Sequence, residues 1–361
     1  MPLLSLISKK INYKSIPSLF LLAVLGFLSP VYAGNGGVVT TLAGSGVKGS
    51  ANGSGTAASF NEPWGIAVDL SGNVYVGDQG NHLVRKITPN GLVTTLAGSA
   101  GVTGATNGTG TAALFSYPRG VAVDSFGNVY VTENGNSLIR KITPDGVVTT
   151  LAGGGLGAAT NKTGTAASFT YPNGVAVDKR GKVYIADSLN CLVRQITMEG
   201  VVSTLAGGEM GSADGIGPAA SFYQPDGIAV DHSGNIYVAD SFNNQIRKIT
   251  TGGVVTTLAG AGPEVEGSAN GKGKAASFNL PDAVAVDASG NVYVADSGNS
   301  LIREITPRGL VTTFAGSAGV TGATNGIGSA ASFNNPEGIT IDNIGNIYVV
   351  DTGNNLIRKI Q

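Results

Sequence analysis

One position in a repeated motif carries most of the chemistry that this sequence offers. The motif Phe-x-x-Pro-X-Gly occurs six times, with alanine replacing the final glycine in the fifth copy. The residues at X are Trp64, Arg119, Asn173, Asp226, Asp282 and Glu337. An aromatic ring, a guanidinium, an amide and three carboxyl groups suit a small-molecule or peptide pocket. The alternative interpretation is a set of solvated loop residues, with Trp64 packed as a staple over the loop.

The oxygen-bearing members of this set could bind a metal ion. Carboxylate and amide oxygens are ligands that Ca²⁺ prefers, so Asn173, Asp226, Asp282 and Glu337 form a candidate calcium site. The chain has one cysteine and two histidines, too few for a cysteine-cluster or three-histidine site. We expect no cofactor, with calcium bound by these oxygens as the alternative.

Two further charges recur in every copy of the repeat. The acids are Asp78, Glu133, Asp187, Asp240, Asp296 and Asp351. The arginines are Arg85, Arg140, Arg194, Arg247, Arg303 and Arg358. Acid–base chemistry needs groups in unlike environments, so we expect these acids to accept turn N–H groups and to pair with the arginines. His82 occupies a variable turn position and is expected to be a surface residue.

The composition excludes several classes of protein. Glycine makes up 56 of 361 residues, which disfavours a coiled coil or a mostly helical chain. With 42% hydrophobic residues the chain is not disordered. The 22 basic and 23 acidic residues give no electrostatic footprint for nucleic acid.

The first 33 residues are typical of a signal peptide. Lys9, Lys10 and Lys14 form a basic region, residues 18–28 are apolar but too short to span a bilayer, and residues 31–33 fit a cleavage site. The alternative is an uncleaved membrane anchor. We expect a mature chain of residues 34–361 without a transmembrane span, located outside the cell or in a periplasm.

Internal repetition dominates the remainder of the chain. The motif prolines lie 53 to 56 residues apart, which defines six repeats of about 55 residues. The first repeat contains four β-rich runs, at 65–69, 73–77, 83–87 and 92–96, here named strands a to d. Turn residues such as those of Asp69–Gly72 separate the runs.

The order of the runs predicts a closed ring. The sixth repeat ends at strand c, residues 356–360, whereas an unpaired strand d, residues 38–42, precedes the first repeat. Pairing of these two strands completes the sixth unit and removes an exposed sheet edge. The sequence therefore predicts an all-β, six-bladed β-propeller of four-stranded antiparallel blades.

The segment Asn235–Ile249 resembles an NHL repeat, whose core reads roughly Y-V-A-D-x-x-N-x-R-I, and residues 291–305 and 346–360 resemble it equally. Here the arginine follows the aliphatic pair, as in Leu83-Val84-Arg85, instead of preceding it. The resemblance implies the propeller fold over essentially the whole mature chain. NHL propellers serve binding, signalling and a few enzymes, and six-bladed relatives include lactone hydrolases and lyases with a channel metal.

The connections indicate which face of the ring carries function. Turns a-to-b and c-to-d are short, whereas the d-to-a loops are long, and long loops usually carry function. We expect the X residues at the channel mouth on the long-loop face. The predicted function is an exported, non-catalytic binding scaffold that presents this face to a protein, peptide or glycan. The alternative is a metal-dependent lactonase- or lyase-like enzyme with oxygen ligands at the mouth.

Overall fold

The computed structural model describes residues 36–155 and 159–361. Residues 1–33, predicted as a signal peptide, lie outside the described residues. Among the residues that are described, no helix combines the length and apolar character needed to cross a membrane. Six antiparallel sheets form the blades of one ring, which confirms the predicted fold class.

Strand a is the innermost strand of each blade and begins at the motif proline. Proline has no N–H to donate, so the first residue of a strand accommodates it. Glycine and β-branched residues follow it, and they line the central channel. The six a strands are Pro63–Val68, Pro118–Val123, Pro172–Val177, Pro225–Val230, Pro281–Val286 and Pro336–Ile341.

Strands b and c form the middle of each blade. The b strands are Val74–Asp78, Val129–Glu133, Val183–Asp187, Ile236–Asp240, Val292–Asp296 and Ile347–Asp351. The c strands are Leu83–Ile87, Leu138–Ile142, Leu192–Ile196, Gln245–Ile249, Leu301–Ile305 and Leu356–Ile360. Short 3₁₀ turns join b to c in five blades, at Gln79–Asn81, Ser188–Asn190, Ser241–Asn243, Ser297–Asn299 and Thr352–Asn354.

Strand d closes the ring as predicted. The d strands are Val38–Ala43, Leu92–Ala97, Val147–Gly153, Val202–Gly207, Val254–Ala259 and Leu310–Ala315. Val38–Ala43 pairs with Leu356–Ile360, with Val39 opposite Ile360. The backbone N–H of Val38 donates to the carbonyl of Gln361 at 2.8 Å, so the two ends of the described ring are joined by backbone hydrogen bonds.

Five blades carry one more strand than the four that the sequence predicts. A two-residue strand from the d-to-a loop pairs with strand d at the outer edge. These strands are Gly53–Ser54, Gly108–Thr109, Gly215–Ile216, Gly271–Lys272 and Gly326–Ile327. The third blade has only an isolated bridge there, between Thr163 and Val201. One 3₁₀ turn follows in each loop: Gly55–Ala57, Gly110–Ala112, Gly164–Ala166, Gly217–Ala219, Gly273–Ala275 and Gly328–Ala330.

The hydrophobic core lies between adjacent blades. In one cluster, Tyr75 and Val84 of the first blade pack with Phe115, Val121 and Val131 of the second. Equivalent clusters fill the other blade boundaries. Because each boundary buries its own apolar surface, the ring holds every strand a at a fixed distance from its neighbours.

Candidate functional site

The glycine that follows the X residue in five of the six repeats fixes the position of the next X residue around the ring. A Cβ on Gly65 would overlap the carbonyl oxygen of Arg119, and a Cβ on Gly120 would overlap that of Asn173. The same close approach relates Gly338 to Trp64. At these boundaries only glycine allows the backbones of adjacent a strands to come this close, so the X residues lie near one another at one end of the channel.

Five of the six predicted residues line one cavity of about 440 Å³ on the long-loop face, namely Arg119, Asn173, Asp226, Asp282 and Glu337. The aromatic rings of Tyr171 and Phe242 line the same cavity. Residues from the b-to-c turns and from the ends of the d-to-a loops meet there. The cavity lies within the size range of small-molecule sites.

Trp64 does not line this cavity. Its side chain is 4% exposed and lies with the channel residues below the mouth. The guanidinium of Arg119 stacks over its ring, 4.4 Å from the centroid. In the described part of the chain, Nε1 of Trp64 has no hydrogen-bond partner. Trp64 therefore supports Arg119 from beneath instead of offering its own face at the mouth.

Hydrogen bonds order the polar side chains of the cavity. Asn173 Nδ2 donates to Asp226 Oδ1, and Thr132 Oγ1 donates to the carbonyl of Asn173 at 2.5 Å. Arg119 Nη1 lies 3.1 Å from the side-chain oxygen of Asn134, in the amide orientation that satisfies both ends of Asn134. The arrangement holds Asn173 and Arg119 in place before any ligand arrives.

The electrostatics of the cavity disfavour ionised carboxylates. Burial raises the pKa of Asp282 well above its usual value, and the charges of Asp226 and Glu337 raise it further. Burial likewise raises the pKa of Glu337, while the nearby Arg119 lowers it. Three carboxyl groups thus share a single guanidinium, and a cationic group in the cavity would favour their ionised forms.

The sequence analysis did not identify a set of hydroxyl groups that lie at the mouth in four of the six blades. Ser241 Oγ donates to the carbonyl of Pro281 at 2.6 Å, and Thr352 Oγ1 donates to that of Pro63 at 2.8 Å. Ser188 and Ser297 make the same bond to Pro225 and Pro336 of the following blade. The available signal was the residue that follows each strand-b acid, where a hydroxyl recurs in four repeats.

The recurring acids and arginines are structural, as predicted. The partners of each pair are completely buried and lie 2.5 to 2.9 Å apart. In the first blade, Asp78 Oδ1 accepts from the backbone N–H of Asn61, while Arg85 donates to the carbonyls of Ser59 and Ala51. These bonds pin the long d-to-a loop, and the guanidinium of Arg85 also covers the ring of buried Phe60.

The interpretation of His82 as a surface residue was wrong. Its side chain is 8% exposed, and Nδ1 accepts from the backbone N–H of Tyr117 in the next blade at 3.2 Å. Asn244 and Asn355 make the equivalent bond, to Leu280 and Glu62. This turn position therefore joins neighbouring blades.

Each of the six repeats matches a known family of protein repeats. Six segments, residues 60–87, 115–142, 169–196, 222–249, 278–305 and 333–360, match the family described as NHL repeat. The SUPPRESSOR OF QUENCHING 1 protein of Arabidopsis thaliana is 33% identical over 292 residues, which cover 74% of this chain and 27% of that protein. The chain spans well under half the length of the curated relatives that it matches.

Solved structures share the fold. An auxiliary nutrient binding protein from Bacteroides thetaiotaomicron superposes with a TM-score of 0.69 at 20% identity, over 90% of this chain and 76% of that chain. A gluconolactonase from Xanthomonas campestris gives 0.58 at 14% identity, over 89% and 88% of the two chains. Six tandem NHL repeats that close into one ring place this chain in the NHL-repeat family of β-propeller proteins.

Proposed function

We propose that this propeller is an exported, non-catalytic binding scaffold that takes a protein, peptide or glycan at the channel mouth. The ligand group that best fits the cavity is a cation, such as the ammonium of a lysine side chain or an amino sugar. The observation that carries the proposal is the convergence of Asp226, Asp282 and Glu337 on one cavity with a single arginine. Mutual repulsion contributes to the raised pKa of Asp282, and a bound ammonium would offset it.

The walls of the cavity suit the remainder of such a ligand. Tyr171 and Phe242 provide apolar faces, and Ser241 and Ser297 provide hydroxyls beside the carboxyl groups. A few placed polar groups among apolar walls are typical of binding sites for small ligands. The nutrient binding protein of the same fold is in keeping with a binding role, although at 20% identity the likeness concerns the fold alone.

The alternative is a metal-dependent lactonase- or lyase-like enzyme. The gluconolactonase of the same fold is in keeping with a lactonase role, although at 14% identity the likeness concerns the fold alone. Carboxyl and amide oxygens are appropriate calcium ligands. However, among residues 36–155 and 159–361 no three His, Cys, Asp or Glu side chains are grouped so that they could hold a metal ion. We therefore derive no metal-assisted step.

Calorimetry can test the binding proposal with two probes, the tripeptide Gly-Lys-Gly and glucosamine. We expect saturable binding of at least one probe. Acetylation of the lysine ε-amine of the tripeptide, or of the amine of glucosamine, should lower the affinity at least tenfold. The Asp282→Asn variant should show a similar loss. A calcium titration serves as a separate arm. Saturable calcium binding without amine binding would replace this proposal with the metal-dependent alternative, and equal affinity for free and acetylated amines would overturn it.

A further inference from the structure

The face opposite the long loops contains a larger cleft than the channel mouth. Its volume is about 720 Å³, against about 440 Å³ for the mouth cavity. It lies between the third and fourth blades and is formed by their a-to-b turns, residues 178–182 and 231–234, and by the c-to-d turn at residues 250–251. It is thus separate from the site described above.

An equivalent cleft between the sixth and first blades provides an internal comparison. It measures about 270 Å³ and is lined at matching positions by Leu70, Pro89, Asn343 and Ile344. The third-to-fourth cleft is lined at these positions by His232, Thr251, Lys179 and Arg180. The architecture is the same, but the comparison cleft has one lysine or arginine, Lys359, where this cleft has three, and Thr251 adds a hydroxyl in place of Pro89.

Lys182 strengthens the contrast. The other five repeats have asparagine at this position, and its side-chain amide closes the a-to-b turn, as when Asn73 Nδ2 donates to Asp69 Oδ2 at 2.8 Å. Lys182 lacks that bond, and its ammonium instead reaches Gln195 Oε1 at 3.4 Å. The third blade therefore places a cation in the cleft where every other blade has a turn-closing amide.

The three cations of the cleft have no carboxylate partner of their own. Lys179, Arg180 and Lys182 form no ion pair with any residue that the structure describes. Two carboxylates also face the cleft, but the turns occupy them. Asp178 accepts from two backbone N–H groups and from the Tyr184 hydroxyl, and Asp231 accepts from Ser233 and Asn235.

We propose that this cleft binds the phosphate group of a small ligand, either free phosphate or a phosphorylated sugar. Guanidinium and ammonium groups are the side chains that bind phosphate oxygens most strongly. The hydroxyls of Thr250, Thr251 and Ser233 also line the cleft and suit a hydroxylated ligand body. A volume of several hundred Å³ accommodates such a molecule.

Titration calorimetry of the full chain with inorganic phosphate and with glucose 6-phosphate tests this site. The test variant combines Lys179→Ala, Arg180→Ser and Lys182→Asn, which are the residues found at these positions in the fifth repeat. We expect wild type to bind at least one probe saturably and the variant to lose at least tenfold in affinity. Tighter binding of glucose 6-phosphate would identify the sugar phosphate as the ligand class, and equal binding would identify free phosphate.

A matched control removes three other positive charges, through Lys86→Gln, Lys141→Gln and Lys359→Gln. These lysines belong to strand c, at the position where the third blade has Gln195, and each lies over a tyrosine ring of strand b. Full phosphate affinity in this control, together with loss in the test variant, supports the cleft. An equal loss in both variants, unchanged binding in both, or no saturable binding by wild type would overturn it. The outcome is independent of amine binding at the opposite face.

Discussion

The guanidinium carbon of Arg119 lies 4.4 Å from the ring centroid of Trp64, across the boundary between the second and first blades. Stacking on an indole holds a guanidinium in one orientation and contributes an attraction of about 2 kcal/mol when water is excluded. Arg119 also attracts the charges of Asp282 and Glu337 and lowers the pKa of each. Trp64 therefore influences the mouth through the arginine that it supports.

Replacement of Asp282 by asparagine is expected to stabilise the unliganded protein at neutral pH. The folded protein holds the pKa of Asp282 well above the unfolded value. The stability that this carboxyl contributes is therefore present below the unfolded pKa and lost as pH rises through the folded pKa. We predict a higher melting temperature for Asp282→Asn at pH 7, with a smaller difference in acid.

The control for this variant is Asp287→Asn, at an acid that accepts turn N–H groups and lies away from the mouth. Asparagine keeps one oxygen for the turn N–H groups but replaces Oδ2, which accepts from Asn291 Nδ2, with an NH2 donor, so we expect the change to lower the melting temperature. A lower melting temperature for Asp282→Asn at pH 7 would show that the carboxylate is stabilising there, contrary to this account.

Binding of a cationic ligand at the mouth is expected to weaken in acid. Ionised Asp282 and Glu337 attract an ammonium, and their raised pKa values mean that protonation begins at a higher pH than for ordinary carboxyl groups. We predict a progressive rise in Kd for Gly-Lys-Gly as pH falls from about 7 to about 4. Calorimetry across this range checks the profile, and an affinity that does not vary with pH would argue against carboxylate recognition.

We predict that breaking the buried ion pair of Asp78 and Arg85 greatly lowers the stability of the folded protein. Arg85→Met leaves a buried carboxylate without its cation and removes three bonds to the d-to-a loop. We expect a cost of about 3–5 kcal/mol in the free energy of unfolding, measured by denaturant titration. The exposed pair of Lys48 and Glu62 is the control, and Glu62→Gln should cost less than about 1 kcal/mol. Similar costs for the two variants would mean that the buried pair does not anchor the loop.

We predict that the hydrogen bond from the Tyr117 N–H to His82, which joins the first two blades, depends on pH. Burial lowers the pKa of His82 in the folded protein. The unfolded chain therefore takes up its proton first, and stability is lost as pH falls below about 6.5. His82→Asn keeps an acceptor, as Asn244 and Asn355 do in other blades, and removes the titration. Denaturant titrations from about pH 7 to about pH 5 should diverge between wild type and variant, and parallel curves would refute the link.

The repeat pattern was sufficient to predict the ring. Alternating apolar residues define strands a to d, and the unpaired run at residues 38–42 requires the pairing that Val39 and Ile360 make. The sequence also placed each X residue directly before strand a, and so at the expected channel mouth. Five of these residues accordingly share one cavity.

Other features depend on side-chain direction and on contacts between repeats, which a period of about 55 residues does not encode. The sequence places Trp64 in the same ring as Arg119 but does not indicate that one side chain lies beneath the other. Likewise, His82 varies among repeats, yet its αL backbone turns it towards Tyr117 of the next blade. The outer strand Gly53–Ser54 is too short to show any alternation of apolar and polar residues.

Trp64 is the sole tryptophan of the chain, so its fluorescence reports on the channel mouth through Arg119. Titration of wild type with Gly-Lys-Gly tests the proposed site most directly. We predict a saturable change in Trp64 emission with the same midpoint as the calorimetric isotherm, abolished or shifted at least tenfold in Asp282→Asn. Calorimetric binding that leaves the emission unchanged, with the same affinity in Asp282→Asn, would place the ligand elsewhere and contradict the account.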